Sequence, residues 1–135
     1  MIPLALLSLA LAAPVPRALK ASDATVIVGE WELVKGTYSG QPFESADGTK
    51  WTLNADGTAV RDRPKQGRAT AKYKLDPAAD PKTFDWDTDE GNQFLGVYEL
   101  DGDTFKVCLR ADAARPTKLT DTQGSYVFEF KRTKE

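Results

Sequence analysis

The chain has 135 residues, a formal net charge of −2, 41% hydrophobic residues and 28% charged residues. This length corresponds to one globular domain, and the near-neutral charge argues against nucleic acid or an anionic membrane as a partner. The sequence contains no histidine and one cysteine, Cys108, which excludes the common zinc sites, histidine-dependent nucleophilic catalysis and an intrachain disulfide. We therefore expect a protein that is not an enzyme and that uses neither a metal nor another cofactor.

The N-terminal segment is predicted to direct export. Residues 2–13 carry no charged side chain, and this run is shorter than the roughly 20 apolar residues that cross a bilayer. Ala10 and Ala12 supply the small residues expected three positions and one position before a cleavage site, so residues 1–12 are interpreted as a secretory signal peptide, although no Lys or Arg precedes the apolar run. A buried N-terminal strand or helix is the alternative. Residues 13–24 would form a linker to a domain of residues 25–135, located in the periplasm or outside the cell and not inserted in a membrane.

The domain is predicted to consist of strands and turns. Apolar and polar residues alternate in short runs about ten residues apart, a pattern typical of antiparallel β-structure. Asp-Gly pairs fall between the runs, where tight turns are expected. One short helical turn is predicted after Pro116, through Leu119. The eight predicted strands span residues 26–38, 50–54, 58–62, 69–75, 82–87, 94–100, 104–110 and 126–132.

Eight short strands in sequence order favour an all-β, antiparallel, up-and-down barrel, with a β-sandwich as the alternative. Connections in such a barrel alternate between its two ends. The long predicted loops of residues 39–49 and 111–125 share one end, whereas the tight turn at Asp101 and Gly102 lies at the other. One end is therefore predicted to be open and rich in loops, and the other closed. We expect a monomer.

Several motifs resemble those of one known family. The first predicted strand begins with Gly29-Glu30-Trp31, and Arg132 lies near the end of the last. Further motifs follow in order: YKLDP at 73–77, GVYELDGDT at 96–104, CL at 108–109 and RPT at 115–117. This series resembles a lipocalin-like domain family that is abundant as paralogues in planctomycete-type bacteria and has no assigned activity.

The resemblance covers roughly residues 28–134. It implies a small exported lipocalin-like β-barrel in which Trp31 and Arg132 form a structural pair at the closed end. Such a cation–π contact is worth about 0.5–2 kcal/mol. The family has no assigned catalytic residues, so the resemblance implies none here.

The leading functional hypothesis is a calyx for a small apolar or amphipathic ligand, lined by Trp51, Tyr73, Tyr98 and Phe128. A solid packed core is the alternative, because an eight-stranded barrel is near the size at which side chains fill the interior. In that case the domain would act through its loops as a protein–protein interaction module of the cell envelope. The predicted interior residues are Trp31, Leu33, Trp51, Leu53, Val60, Tyr73, Leu75, Phe84, Trp86, Tyr98, Leu100, Phe105, Val107, Leu109, Tyr126, Phe128 and Phe130.

Basic residues near the open end are candidates for binding an anionic head group. Arg63 and Arg110 are the two assigned to the ligand site, because a guanidinium matches the geometry of a carboxylate. A solvated rim, neutralised by nearby acidic residues, is the alternative. The other basic residues predicted near this rim are Arg61, Lys65, Arg68 and Arg115.

Two further features have structural explanations. Residues 85–91 resemble the first half of a calcium-binding loop, but Gly91 falls one position late and Gly96 stands where a bidentate Glu is needed. A solvated acidic loop is therefore expected. Cys108 has the opposite parity to the predicted interior residues of its strand, so we expect a half-buried structural thiol on the outer face.

Overall fold

The computed structural model describes residues 22–112, 114–120 and 123–133. The predicted signal peptide and nearly all of the predicted linker lie outside these residues. Within the described part of the chain, no helix has the length and apolar character needed to cross a membrane. The elements are α1 Asp23–Val26, β1 Gly29–Tyr38, β2 Gln41–Pro42, a 3-10 helix Glu44–Ala46, β3 Lys50–Leu53, β4 Thr58–Arg63, β5 Gly67–Asp76, β6 Thr83–Thr88, β7 Gln93–Asp101, β8 Thr104–Arg110 and β9 Tyr126–Arg132.

The strands form a closed antiparallel barrel of eight strands. Each strand from β3 to β9 pairs with the next along the chain, and β1 pairs with both β3 and β9. The additional short strand β2 pairs with the end of β1. The predicted up-and-down barrel is confirmed, and closure of the sheet pairs the strand edges that an open sheet would expose.

The helices differ from the prediction. Residues 117–120 form bends and a turn, so the helical turn predicted after Pro116 is wrong. The short helix α1 covers the end of the predicted linker and reaches the first residue of the predicted first strand, Val26. It forms because the N–H groups of Val26 and Ile27 donate to the carbonyls of Ser22 and Asp23. This turn brings the fully buried Ile27 under the barrel.

The side chains of β4 that face into the barrel are not the predicted ones. Leu53 pairs with Ala59 and Trp51 with Arg61, and directly paired residues share a face of the sheet. The cause is the turn between these strands. The Asn54 N–H donates to the Thr58 carbonyl at 2.9 Å, which leaves a three-residue loop, 55–57, that ends in Gly57 at φ 88°, the usual conformation of such hairpins. Val60 therefore faces outward, and the prediction that it faces inward is wrong.

Aromatic side chains fill the half of the barrel next to the closed end. Trp31, Phe84, Phe105 and Phe130 are fully buried or nearly so. The Phe105 ring lies 5.5 Å from the Trp31 ring and 5.7 Å from the Phe130 ring, between ring centroids. Aromatic pairs at such distances add to the free energy of area burial. This half of the barrel is a packed core.

Arg132 closes the end of the barrel over Trp31. Its guanidinium carbon lies 4.3 Å from the Trp31 ring centroid, which is the contact that the sequence predicts. The same guanidinium donates to the carbonyls of Val28 at 3.1 Å and Val26 at 2.5 Å. At Gly29, whose φ is 134°, a Cβ would lie 2.9 Å from the Arg132 Nη1 atom, so only glycine leaves room for this arrangement.

A second contact at the closed end ties α1 to the barrel. The Asp23 carboxylate accepts hydrogen bonds from the Lys82 ammonium at 2.9 Å and from the Tyr98 hydroxyl at 2.7 Å. Burial raises the pKa of Asp23, but these two hydrogen bonds and the Lys82 charge outweigh it and hold the pKa below its usual value. Burial, and then the Asp23 carboxylate, raise the pKa of Tyr98. Asp23 is therefore ionised and Tyr98 protonated at neutral pH.

The outer face of β7 and β8 is covered as well. Val97 and Cys108 pair across these strands and are buried, so Cys108 is more deeply buried than predicted. The Arg115 guanidinium donates to the Asp85 carboxylate at 2.7 Å and to the Gly96 carbonyl at 2.9 Å. These bonds fix the segment of residues 114–120 against the sheet, with Pro116 buried.

Replacement of Trp31 by alanine should destabilise the barrel strongly. The side chain is fully buried, and truncation of a buried large aromatic costs about 3–5 kcal/mol. The free energy of unfolding, measured by urea denaturation, should fall by this amount. Val34→Ala on the same strand is the control, since Val34 is 59% exposed. A loss below about 1 kcal/mol in Trp31→Ala would contradict the packing described here.

Asp23 should make folding stability depend on acidic pH. Because its folded pKa is lowered from the ordinary 3.8, its stabilising contribution is present above that pH and is lost as the pH falls through the folded pKa. Asp23→Asn should therefore lose less stability on acidification than the wild type, measured by urea denaturation across this range. Asp62→Asn, at an exposed position on β4, should retain the wild-type acid dependence. Identical acid dependence of Asp23→Asn and wild type would refute the assignment.

Candidate functional site

The open end of the barrel contains a cavity of about 190 Å³. Its base is formed by Trp51 of β3 and Trp86 of β6, whose rings stack with centroids 4.2 Å apart. Both indoles are almost fully buried, so their positions are fixed by the core below. The residues lining the cavity are Phe43, Trp51, Arg61, Arg63, Trp86, Thr88, Glu90, Asn92, Phe94, Leu109, Tyr126 and Phe128.

Aromatic rings also form the walls. Phe128 meets Trp51 edge to face at 6.1 Å, and Tyr126 meets Phe94 in the same way at the same centroid distance. A Cβ on Gly36 would approach the Phe128 ring to 3.1 Å. Glycine at this position of β1 therefore lets the Phe128 ring lie close to the strand.

The first loop brings Phe43 to the cavity. The Phe43 N–H donates to the Gly36 carbonyl at 3.0 Å, and the Phe43 carbonyl accepts from the Ala46 N–H at 3.1 Å. Ala46 is fully buried and anchors the 3-10 helix. Phe43 is held above Phe128, with ring centroids 6.4 Å apart.

Arg63 is buried beside the cavity. Its Nε donates to the Thr49 hydroxyl at 2.9 Å, its Nη1 donates to the Gln66 side-chain oxygen at 3.2 Å, and its guanidinium carbon lies 5.7 Å from the Phe43 ring centroid. The Thr49 hydroxyl in turn donates to the Ala46 carbonyl at 2.5 Å. Burial, and then the Arg61 charge, lower the pKa of Arg63. The side chain remains a cation, since arginine is not deprotonated in proteins.

Arg61 occupies the neighbouring inward position of β4. Its Nε atom is buried and has no hydrogen-bond partner. Among the residues that the structure describes, no carboxylate forms a salt bridge with either Arg61 or Arg63. The cavity thus combines an aromatic interior with two arginines that have no carboxylate partner in the described part of the chain.

A second cavity, of about 320 Å³, continues along the rim between β5 and β6. It shares Arg61, Trp86, Thr88 and Glu90 with the first. Glu90 is exposed and lies in the β6–β7 loop. Polar groups therefore concentrate on one side of the opening.

The structure brings together only some of the predicted site residues. Trp51, Phe128 and Arg63 line the cavity. Tyr73 and Tyr98 lie on the inner face but near the closed end, where the Tyr73 hydroxyl donates to the Asn54 carbonyl at 2.7 Å. These two tyrosines do not line the cavity that Trp51 and Phe128 share, because facing inward does not fix a residue's height along the barrel.

Arg110 lies outside the cavity. It belongs to the outward positions of β8 and donates to Asp112 at 2.6 Å and to the Gln123 carbonyl at 2.8 Å. The hydrogen bond from Arg110 holds the pKa of Asp112 down at about 2. Arg110, predicted as a ligand-site residue, thus does not line this cavity and instead contacts the last loop. Arg115 is likewise paired with a carboxylate on the outer face.

Some of the other residues that line the cavity were predicted to lie in the interior or at the rim, but none of them was assigned to the ligand site. Trp86, Leu109 and Tyr126 belong to the predicted interior, and Arg61 to the predicted rim. Phe43 lies in a loop without periodicity, so no sequence signal marked it. Within the described residues, no cluster of three or more His, Cys, Asp or Glu side chains could hold a metal ion.

No family model matches the chain, and no curated protein is significantly similar to it. A functional proposal must therefore rest on the chemistry of the cavity.

Thr49→Val should destabilise the protein although the shape of the side chain is nearly unchanged. The substitution removes the acceptor for Arg63 Nε and the donor to the Ala46 carbonyl, and an unsatisfied buried polar group costs about 1–3 kcal/mol. Thr52→Val is the control, because Thr52 lies three residues further along, in β3, and its side chain forms no hydrogen bond with the described residues. Equal free energies of unfolding for the two variants would contradict this network.

Proposed function

We propose that the domain binds a small amphipathic molecule in the cavity at the open end of the barrel. The observation that carries this proposal is the difference between the two halves of the barrel. The closed half is filled by Trp31, Phe84 and Phe105, whereas the open half keeps a cavity between aromatic walls. This difference favours a ligand over the alternative of a filled barrel that acts only through its loops.

The volume limits the size of the ligand. An apolar cavity of about 150 Å³ can hold one benzene molecule, so a cavity of about 190 Å³ suits a ring system of one or two rings. A longer molecule would have to extend through the opening or into the adjoining rim cavity. Compact molecules with a flat apolar part are therefore the best fit.

The cavity walls are held in place before a ligand arrives. Trp51 and Trp86 are stacked within the core, and Phe43 is fixed by backbone hydrogen bonds. Preorganised walls reduce the entropy lost on binding. A few polar groups among apolar ones, here Arg61, Thr88 and Asn92, are the usual means by which such pockets orient a ligand.

We further propose that this binding takes place outside the cytoplasm and without a chemical reaction. The apolar segment of residues 2–13 supports export, and the barrel with its Trp31–Arg132 contact supports the resemblance to lipocalin-like domains. Glu90, the carboxylate that lines the cavity, is exposed, and an exposed carboxylate has no desolvation to prepare it for acid–base work.

A titration with 2-naphthol, which is uncharged at neutral pH, tests the proposal. The two stacked tryptophans lie at the cavity base, so saturable one-to-one binding should quench tryptophan fluorescence. A folded, cooperatively melting protein that shows no saturable quenching with naphthol or with other ring compounds of this size would overturn the proposed function.

Phe94→Ala should weaken naphthol binding at least about tenfold, because a lost aromatic contact is worth about 1.5–3 kcal/mol. Leu100→Ala is the matched control. Both residues are partly buried on the inner face of β7, but only Phe94 lines the cavity. Equal loss of affinity in the two variants would place the ligand elsewhere.

A further inference from the structure

The structure describes six arginines; Arg68 is exposed, and the other five fall into two groups. Arg110, Arg115 and Arg132 each have a carboxylate within 4.0 Å. Arg61 and Arg63, which face the cavity, have none among the described residues. Because water is largely excluded at such sites, a buried cation without a counter-ion is costly. Arg63 is buried, and Arg61 is half-buried with its Nε atom enclosed, so this cost falls on the two arginines that line the cavity.

The geometry of β4 places these two charges together. Arg61 and Arg63 are two positions apart on one strand and face the same side, which separates their Cα atoms by about 6.5–7 Å. Two like charges at this separation repel each other, and after burial the Arg61 charge is the next cause that lowers the pKa of Arg63. The one carboxylate lining the same cavity, Glu90, is exposed and forms no ion pair with either arginine. The charged groups that line the cavity are thus predominantly positive.

The two arginines differ in how many of their N–H donors are already used in hydrogen bonds. Arg63 already donates to Thr49 and Gln66, whereas the buried Nε of Arg61 has no acceptor. A guanidinium presents several N–H donors in a planar fork that matches a carboxylate. Arg61 is therefore the residue with unused donors at the cavity wall, and Arg63 adds positive charge beside it.

We propose that the ligand is an aromatic carboxylate, whose ring lies between the aromatic walls and whose carboxylate accepts hydrogen bonds from Arg61. This inference rests on the proposed function and assigns its ligand a charge. The stacked Trp51 and Trp86 rings favour a flat ring system over an alkyl chain. The cavity volume favours one or two rings.

The test compares three probes in the fluorescence titration of the full chain. They are 2-naphthoate, the uncharged 2-naphthol, and undecanoate, which has the same number of carbons as naphthoate in a flexible chain. Naphthoate should bind at least tenfold more tightly than naphthol and at least threefold more tightly than undecanoate. Undecanoate affinity equal to or above that of naphthoate would overturn the aromatic part of the proposal.

Arg61→Met is the decisive variant, because it removes the charge, keeps an unbranched apolar side chain and breaks no hydrogen bond. It should weaken naphthoate binding at least tenfold and change naphthol binding less than threefold. Lys65→Met is the control, since Lys65 is an exposed cation in the adjacent β4–β5 loop outside the cavity. It should change naphthoate binding less than twofold. Thermal melting of each variant verifies folding.

The possible failures are distinct. Equal binding of naphthoate and naphthol would overturn the anion assignment and leave the proposed function standing. Equal weakening of both probes in Arg61→Met would also overturn it, since the arginine would then act on the shape of the cavity alone. Failure of naphthoate, naphthol and undecanoate to bind the folded wild type would overturn both proposals.

Discussion

The register of β3 against β4 determines the chemistry of the barrel interior. The three-residue loop ending in Gly57 pairs Trp51 with Arg61 and Leu53 with Ala59. Side chains alternate along a strand, so a shift of one residue would turn both inward arginines to solvent and bring Val60 inside. The position of one glycine in a tight turn therefore decides whether β4 presents Arg61 and Arg63 to the open end of the barrel or presents Val60 and Asp62 there.

The arginines at the two ends of the barrel differ in how far the fold satisfies their hydrogen-bond donors and their charge. At the closed end, Arg132 lies over Trp31, donates to backbone carbonyls and has Asp103 3.4 Å away. Its donors and its charge are satisfied within the fold, which makes it part of the structure. At the open end, Arg61 lies beside Trp51 and Trp86 with a buried donor unused. The same residue type thus stabilises one end and leaves binding capacity at the other.

Much of the fold could be predicted from the sequence, because alternation and Asp-Gly turns fixed the strands and their order. The closed-end pair of Trp31 and Arg132 followed from the family resemblance. The height of Tyr98 in the barrel could not be predicted, since it depends on the stagger of all the strands. The facing of Val60 depended on whether a turn has three or four residues, and Asn54-Ala55-Asp56-Gly57 fits both. The size of the cavity is a small difference between large packing volumes.

The most direct test of this account is an NMR titration of the labelled protein with 2-naphthoate. The account predicts a large shift of the Arg61 side-chain Nε–H resonance and intermolecular contacts between the naphthyl protons and the rings of Trp86 and Phe128. Shifts confined to the outer face of β1 and β9, with the Arg61 resonance unchanged, would contradict the central claim that the open end of the barrel is an anion-binding calyx.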